Sequence, residues 1–324
     1  MKSVYQYNAG ATAANILSDL IAIFTGETTV ANLSASCNKA TTTITSVVAA
    51  GWTLHDNAAS ATSKVIKAPY ADDGATFKYA EISIPDNNGV RMFGYETFNS
   101  TAHTGTNKTS NSSSHYQVLD VTNGGKLYLF SSARFLMVVA ETSTLWGDNN
   151  ANIPANAIYA GPNLIAEHSR IAPWNTVASG YPAFCYVSMA TLNYGIAGAA
   201  NAPMYSPRLK NRANADLTGT SAILWGSSYC GFDKFNDANS FPQGTDAKVR
   251  DSSGNLQIPF LPLFCNSPSL TVIPMGDFSS ITDVWLAPAN VMANFETIVN
   301  NSKNYIAIRY GHTSYGHRIL VRNE

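Results

Sequence analysis

The stretch Thr76-Phe77-Lys78-Tyr79-Ala80-Glu81-Ile82-Ser83-Ile84, then Asp86-Asn87-Asn88-Gly89, then Val90-Arg91-Met92-Phe93-Gly94-Tyr95-Glu96-Thr97-Phe98, decides the fold class. Its first part alternates along the chain, the period of a β-strand. The apolar parity shifts near Ala80, as a bulge or a two-faced strand requires. The Asp-Asn-Asn-Gly segment is a turn, because Asn and Gly tolerate the positive φ angles of tight hairpins. The run from Val90 to Phe98 then returns as the hairpin partner.

Working outward, the β reading begins at about Val65 and continues past the hairpin. Asn99 to Ser114 is almost wholly Thr, Ser, Asn and Gly, which predicts an exposed loop. A second hairpin is expected from Tyr116–Val121, the turn Thr122-Asn123-Gly124-Gly125, and Lys126–Phe130. Phe135-Leu136-Met137-Val138-Val139-Ala140 is a continuous apolar run, suited to a central strand covered on both faces. Further on, Gly161-Pro162, Ile171-Ala172-Pro173-Trp174 and Gly180-Tyr181-Pro182 punctuate the chain and bar long helices. Short strands are expected at Phe184–Val187, Ala222–Trp225, Val284–Leu286 and Tyr305–Arg309, with Tyr315–Val321 as a closing strand. No tandem repeat of 20–50 residues is visible.

The N-terminal part reads differently. Ile16, Leu17, Leu20, Ile21 and Phe24 recur at intervals of three and four, with Thr12 as N-cap and Gly26 as stop. A weaker helix is expected over Asn32–Lys39. Thr41–Val48 is β-branched and reads as a strand. In Gly51-Trp52-Thr53-Leu54-His55-Asp56, Trp52 and Leu54 share one strand face. The expectation is a mainly β protein of antiparallel, sandwich-like sheets with a small helical N-terminal part. Its divisions are 1–60 (helical, anchoring), 61–147 (β-rich) and 148–324 (loop-rich β), the last two forming one domain if the Gly147–Asn156 composition shift is only a loop.

Composition narrows the function. The chain has 324 residues, long enough for two domains or one large β domain. Hydrophobic residues are 45% and charged residues only 13%, against about 25% in ordinary soluble proteins. Asn, Ser, Thr and Ala take the place of charge, and a net charge of −1 gives copies little mutual repulsion. The balance of 20 Lys+Arg against 21 Asp+Glu argues against a nucleic-acid partner. Met1–Tyr7 lacks the apolar core of a signal peptide, and neither Leu20–Phe24 nor Phe135–Ala140 approaches the ~18–20 apolar residues that span a bilayer. Cys37, Cys185, Cys230 and Cys265 are scattered without metal or disulfide spacing, and are expected to be reduced and buried. The Asn-X-Ser/Thr sequences at Asn99, Asn107, Asn111 and Asn300 mark a polar surface.

His312 and His317 lie five apart, on opposite faces of an extended strand, and no third metal ligand is marked. Glu167-His168 and His55-Asp56 are neighbours, and neighbouring side chains on a regular strand face apart, which disfavours a catalytic dyad. Gly226-Ser227-Ser228-Tyr229-Cys230-Gly231 lacks the spacing of a nucleophile elbow. Asp72-Asp73-Gly74 is a turn without the oxygen ligands of a calcium loop. Asp233, Asp237 and Asp283 are the acids available to a glycosidase pair, with no local signal raising them above solvated loop acids. Tyr181, Tyr205 and Tyr229, beside Gly or Pro, suit a glycan-stacking platform or a subunit contact. No catalytic, cofactor or metal residue is assigned, and no enzyme is expected.

Four segments resemble tailed-bacteriophage virion structural proteins: Gly51–Asp56, Val65–Tyr79, Gly125–Phe135 and Pro173–Pro182. The likeness covers roughly residues 1–190 and keeps the segments in order. It implies a non-enzymatic tail- or baseplate-associated subunit, assembled in the host cytoplasm into the virion. Its implied partners are other virion proteins and copies of itself, with no nucleic acid, membrane or cofactor. A receptor- or glycan-binding tail protein, touching a host surface glycan, and a capsid decoration protein are the alternatives.

Overall fold

The computed structural model describes residues 2–45, 50–69, 74–85, 89–95, 97–106, 117–133, 135–141, 163–167, 184–188, 284–287, 295–300, 302–309 and 318–323. Among the described residues the chain is mainly β, with one α-helix near the N-terminus and antiparallel sheets. In chain order come β1 (Lys2–Tyr7), α1 (Ala13–Phe24), β2 (Thr53–Ser60), β3 (Ser63–Pro69), β4 (Phe77–Ser83) and β5 (Gly89–Tyr95). A short hairpin β6 (Thr97–Asn99) and β7 (Thr104–Thr106) follows, then β8 (Gln117–Val118), β9 (Gly125–Ser131) and β10 (Phe135–Glu141). The later strands are β11 (Asn163–Glu167), β12 (Phe184–Ser188), β13 (Val284–Ala287), β14 (Thr297–Asn300), β15 (Lys303–Arg309) and β16 (Arg318–Arg322). They build three main sheets, ordered β1-β9-β10-β11-β12, β2-β3-β4-β5-β8 and β13-β16-β15-β14.

The opening stretch forms the hairpin β4–β5, with Tyr79 opposite Tyr95 and Ser83 opposite Arg91. β4 runs in unbroken register against β3 and β5, so the parity shift at Ala80 marks a two-faced strand. Ala80 and Ile82 join the core, while Tyr79 packs against a second cluster of Val65, Phe93, Tyr95 and Phe98 on the opposite face. Lys78 shares the core face of Ala80 and is fully buried. Its ammonium donates to the Pro69 carbonyl at 2.6 Å and sits 5.5 Å from the centroid of Trp52. Phe135–Ala140 falls in β10, and these six residues are all buried, as a strand covered on both faces must be.

The expected hairpin over Tyr116–Phe130 does not form. β8 pairs with β5, whereas β9 lies between β1 and β10, so the two runs belong to different sheets. The N-terminal strand β1, which carries no turn signal, takes the place beside β9. Tyr7 secures the crossing: its hydroxyl accepts the Asp120 N–H at 3.0 Å. Gly124, at φ +81°, packs so closely that a Cβ there would lie 2.7 Å from the Tyr7 carbonyl oxygen.

Helix α1 forms as its pattern predicts. The Thr12 hydroxyl accepts the Asn15 N–H at 3.2 Å, and Gly26 takes φ +109° after the last turn. Eight of its twelve residues are buried, more than one face, because it joins β1, β3, β4 and β9 in a single core. Residues from Tyr5 to Ala140 belong to that core. One buried helical residue is charged. Asp19 accepts the Tyr5 hydroxyl at 2.8 Å, the Ser34 N–H at 2.8 Å and the Ser34 hydroxyl at 2.7 Å.

The helix expected over Asn32–Lys39 is absent; a single 3-10 turn at Val30–Asn32 replaces it. The segment instead covers the outer edge of β1, whose backbone groups offer the partners a short polar helix would have to find in itself. Asn38 N–H donates to Gln6 O at 2.8 Å, Asn8 N–H to Ser36 O at 2.8 Å, and Val4 and Thr43 exchange bonds at 2.7 and 2.8 Å. Thr42 and Thr45 add side-chain bonds to Gln6, Ser3 and Lys2. Cys37, buried and free, lies here with its thiol 3.3 Å from the Thr42 hydroxyl, and burial pushes that thiol up from its ordinary pKa.

In the second half, β12, β13, β15 and β16 fall where aromatic or β-branched strands are expected, while β11 and β14 are additional. Ala222–Trp225 lies outside the described residues.

Candidate functional site

The described residues bring one cluster of ionisable and aromatic side chains together on the outer face of the β2-β3-β4-β5-β8 sheet. It depends on an irregularity in β2. Leu54 pairs with Ile66 but Asp56 pairs with Val65, so His55 is an extra residue on the β2 side. The bulge cancels the alternation that would send His55 and Asp56 to opposite faces, and both meet the β6–β7 hairpin. This corrects the expectation drawn from a regular strand.

Asp56 is 3% exposed. One carboxylate oxygen accepts the Ala58 N–H at 2.8 Å and the other lies 2.7 Å from Nδ1 of His103. A carboxylate can only accept, which assigns a proton to that nitrogen. Burial alone would raise the Asp56 pKa. The hydrogen bonds from His103 and Ala58, with the charges of His103 and His55, outweigh it and hold the carboxyl below its ordinary value. His103 adopts φ +54°, a left-handed conformation that His tolerates better than most residues, and its side chain is 40% exposed.

His55 completes the arrangement. Its Nε2 lies 3.1 Å from the Phe98 carbonyl, and its ring centroid is 4.9 Å from that of Tyr79 and 6.1 Å from that of Phe98. Phe98 meets Tyr95 edge-on at 5.3 Å. Gly105 lies against the same tyrosine, where a Cβ would fall 2.2 Å from Cδ1. Beneath, Glu81 accepts the Ser63 hydroxyl at 2.6 Å and the Tyr95 hydroxyl at 2.5 Å. Burial, then the Glu81 charge and hydrogen bond, push the Tyr95 hydroxyl far above its ordinary range. The expected Asn99–Ser114 loop thus begins as a pinned hairpin, outwardly exposed as predicted; residues 107–116 lie outside the described residues.

An Asp–His pair with a solvent-facing imidazole has the orientation of a general base. Chemistry would require a nucleophile or bound group beside it, and no described contact supplies one. Among the described residues no three His, Cys, Asp or Glu side chains converge as a metal site. What the contacts do is tether a two-stranded flap to a sheet face.

A second group sits on β9. Tyr128 and Phe295 pack with ring centroids 4.2 Å apart and planes tilted by 30°, and the Lys2 ammonium lies 5.8 Å from each ring. Lys126 Nζ is 5.9 Å from Tyr128, and burial lowers the Lys2 pKa. Sequence reading passed over these residues; the Lys126-Leu127-Tyr128 alternation marks two of them as one strand face, but Phe295 reaches them only through the fold.

His312, His317, His168, Asp72, Asp73, Gly226–Gly231, Asp233, Asp237, Asp283, Tyr181, Tyr205 and Tyr229 lie outside the described residues, as does the Glu167 side chain. Among the described residues no helix is long and apolar enough to cross a membrane. Comparison with protein-family models and with curated proteins finds no match.

Proposed function

We propose that the chain is a non-enzymatic structural subunit of a tailed-bacteriophage virion, in the tail, baseplate or fibre-attachment region. It is assembled in the host cytoplasm and acts through symmetric contacts with copies of itself and with other virion proteins. One observation carries the mechanical side of this reading. Among the described residues the buried charged groups Asp19, Asp56 and Lys78 are all engaged in holding chain segments against the sheets: Asp19 holds the Ser34 loop, Asp56 the β6–β7 hairpin, and Lys78 the Pro69 end of β3. Buried charge used this way rigidifies a scaffold. The order-preserving resemblance supplies the virion context, and the low surface charge suits close packing of copies.

A second reading, a receptor- or glycan-binding tail protein, is favoured by the Tyr128–Phe295 pair with its two lysines, since aromatic faces and cations together suit an acidic sugar. Quantitative mass spectrometry of purified particles, with heads and tails separated, tests the proposal. The expected result is the chain in tails at low copy number. High copy in heads would make it a capsid decoration protein, and absence from both would overturn the structural reading.

A further inference from the structure

The sheet edges are unequally protected. An edge strand presents unpaired N–H and C=O groups that invite another strand, and proteins guard it by cover, bulges, charge or brevity. The outer edge of β1 is covered by residues 36–45. β2 is bulged and carries Asp56 and His55, and β8 is two residues long. Among the described residues nothing pairs with the outer edge of β14, and its guards stand only at its entry, where Phe295 and Glu296 both bond Ala307 in a bulge. Thr297-Ile298-Val299-Asn300 contains no charge, Pro or Gly, and it runs against β15 in unbroken register. Val299 is 48% exposed, the most exposed of the large hydrophobic residues described.

We propose that β14 is a self-pairing edge: two copies of this chain join antiparallel across a two-fold axis at Ile298, fusing their four-stranded sheets. This rests on the multi-copy reading above and names the contact. The period-two alternation of side chains restricts the register, because a one-residue slip would set the buried Ile298 on the face of the exposed Val299. Centred on Ile298, the pairing sets Thr297 opposite the partner's Val299 and Glu296 opposite the partner's Asn300.

Charge complementarity selects the second copy as occupant. Within each hairpin Asn300 pairs with Lys303. The register therefore sets the partner's Glu296 and Lys303 in one row, with β14 between their strands, and the two-fold axis repeats the row. The outer strands are roughly 9–10 Å apart, within reach of a long acid and a long base. The same pairing covers Val299 with a partner threonine. Four paired residues bury far less than the ~1,200–2,000 Å² of a stable interface, so free copies exchange between monomer and dimer. Full pairing comes when other contacts hold the copies together.

Sedimentation velocity of the full chain across a concentration series tests this. The expected result is a reversible monomer–dimer equilibrium. Val299→Lys should weaken it by about tenfold or more while leaving the far-ultraviolet dichroism unchanged. Glu296→Lys and Lys303→Glu should each weaken self-association, and an equimolar mixture of the two should restore it, because both rows then regain opposite charges. A wild type that stays monomeric throughout, a Val299→Lys chain that dimerises like wild type, or a mixture that fails to recover would overturn the pairing. None of these results bears on whether the chain is found in virion tails, which the particle analysis decides separately.

Discussion

Asp19 and Asp56 are the same residue type, equally buried, and each accepts hydrogen bonds from a side chain and the backbone. Their settings differ. Asp19 lies on α1 inside the main core, where Tyr5 and Ser34 bind it with neutral donors. Asp56 lies on a bulged edge strand and holds His103, itself 40% exposed, on a hairpin outside the sheet. The first clamp closes the structure around itself, and the second attaches an outer element to a finished surface. Depth, rather than hydrogen-bond count, should decide what each is worth.

The sharpest way to break this comparison is to delete each acid in turn. Asp19→Ala strands the Tyr5 hydroxyl and two Ser34 donors in or beside the core, and should cost roughly 3–5 kcal/mol. Asp56→Ala releases donors that water can reach when the hairpin lifts, and should cost roughly 1–2 kcal/mol. Denaturant midpoints of the two variants at neutral pH measure the difference. Equal losses would show that the outer clamp is as much part of the core as the inner one.

Alkaline pH sharpens the comparison from the core side. Burial, then the Asp19 charge, raises the Tyr5 hydroxyl far above its ordinary value of 10, and burial pushes Tyr7 up to about 12. A raised pKa means that the folded state keeps a proton the unfolded chain gives up. The stability it contributes is complete below pH 10 and is lost as pH rises through the folded value. For Tyr7 that window is pH 10 to about 12. Tyr7→Phe should lower stability at neutral pH by roughly 1 kcal/mol, through the lost Asp120 bond, and flatten the decline across that window. Denaturation midpoints between pH 9 and 12 would show a slope unchanged from wild type if the tyrosine were not the titrating group.

How much of this was legible in the sequence follows from how local each feature is. Helix α1 was readable end to end, because Thr12, the three-and-four spacing and Gly26 all act within a few residues of one another. The same holds for β4–β5 and for the uniformly apolar β10. The partner of β9 was not readable, because pairing with β1 joins residues more than a hundred positions apart and leaves no turn between them. The site failed for a related reason. His55 and Asp56 are neighbours that strand alternation sends to opposite faces, and only the register against β3 reveals the bulge that aims both at the hairpin. His103 sat in a polar run whose composition correctly predicted exposure but could not reveal a partner 47 residues earlier.

Acid pH tests the outer clamp, with the smallest expected effect. The Asp56 pKa is held below its ordinary 3.8, so the stability it contributes is present above that pH and lost as pH falls through the folded value. Burial pulls the other way, and the donors from His103 and Ala58 overcome it. Removing one donor should therefore let burial gain ground and move the loss to higher pH. His103→Ala should cost roughly 0.5–1.5 kcal/mol at neutral pH, because Asp56 loses a donor and Ala tolerates the left-handed backbone less well than His. The telling readout is local: amide exchange of Thr97–Thr106 should quicken well before that of β9 and β10, and at a higher pH than in wild type. If the hairpin and the central strands instead loosened together, Asp56 would be holding the fold as Asp19 does, and the distinction between an inner and an outer clamp would collapse.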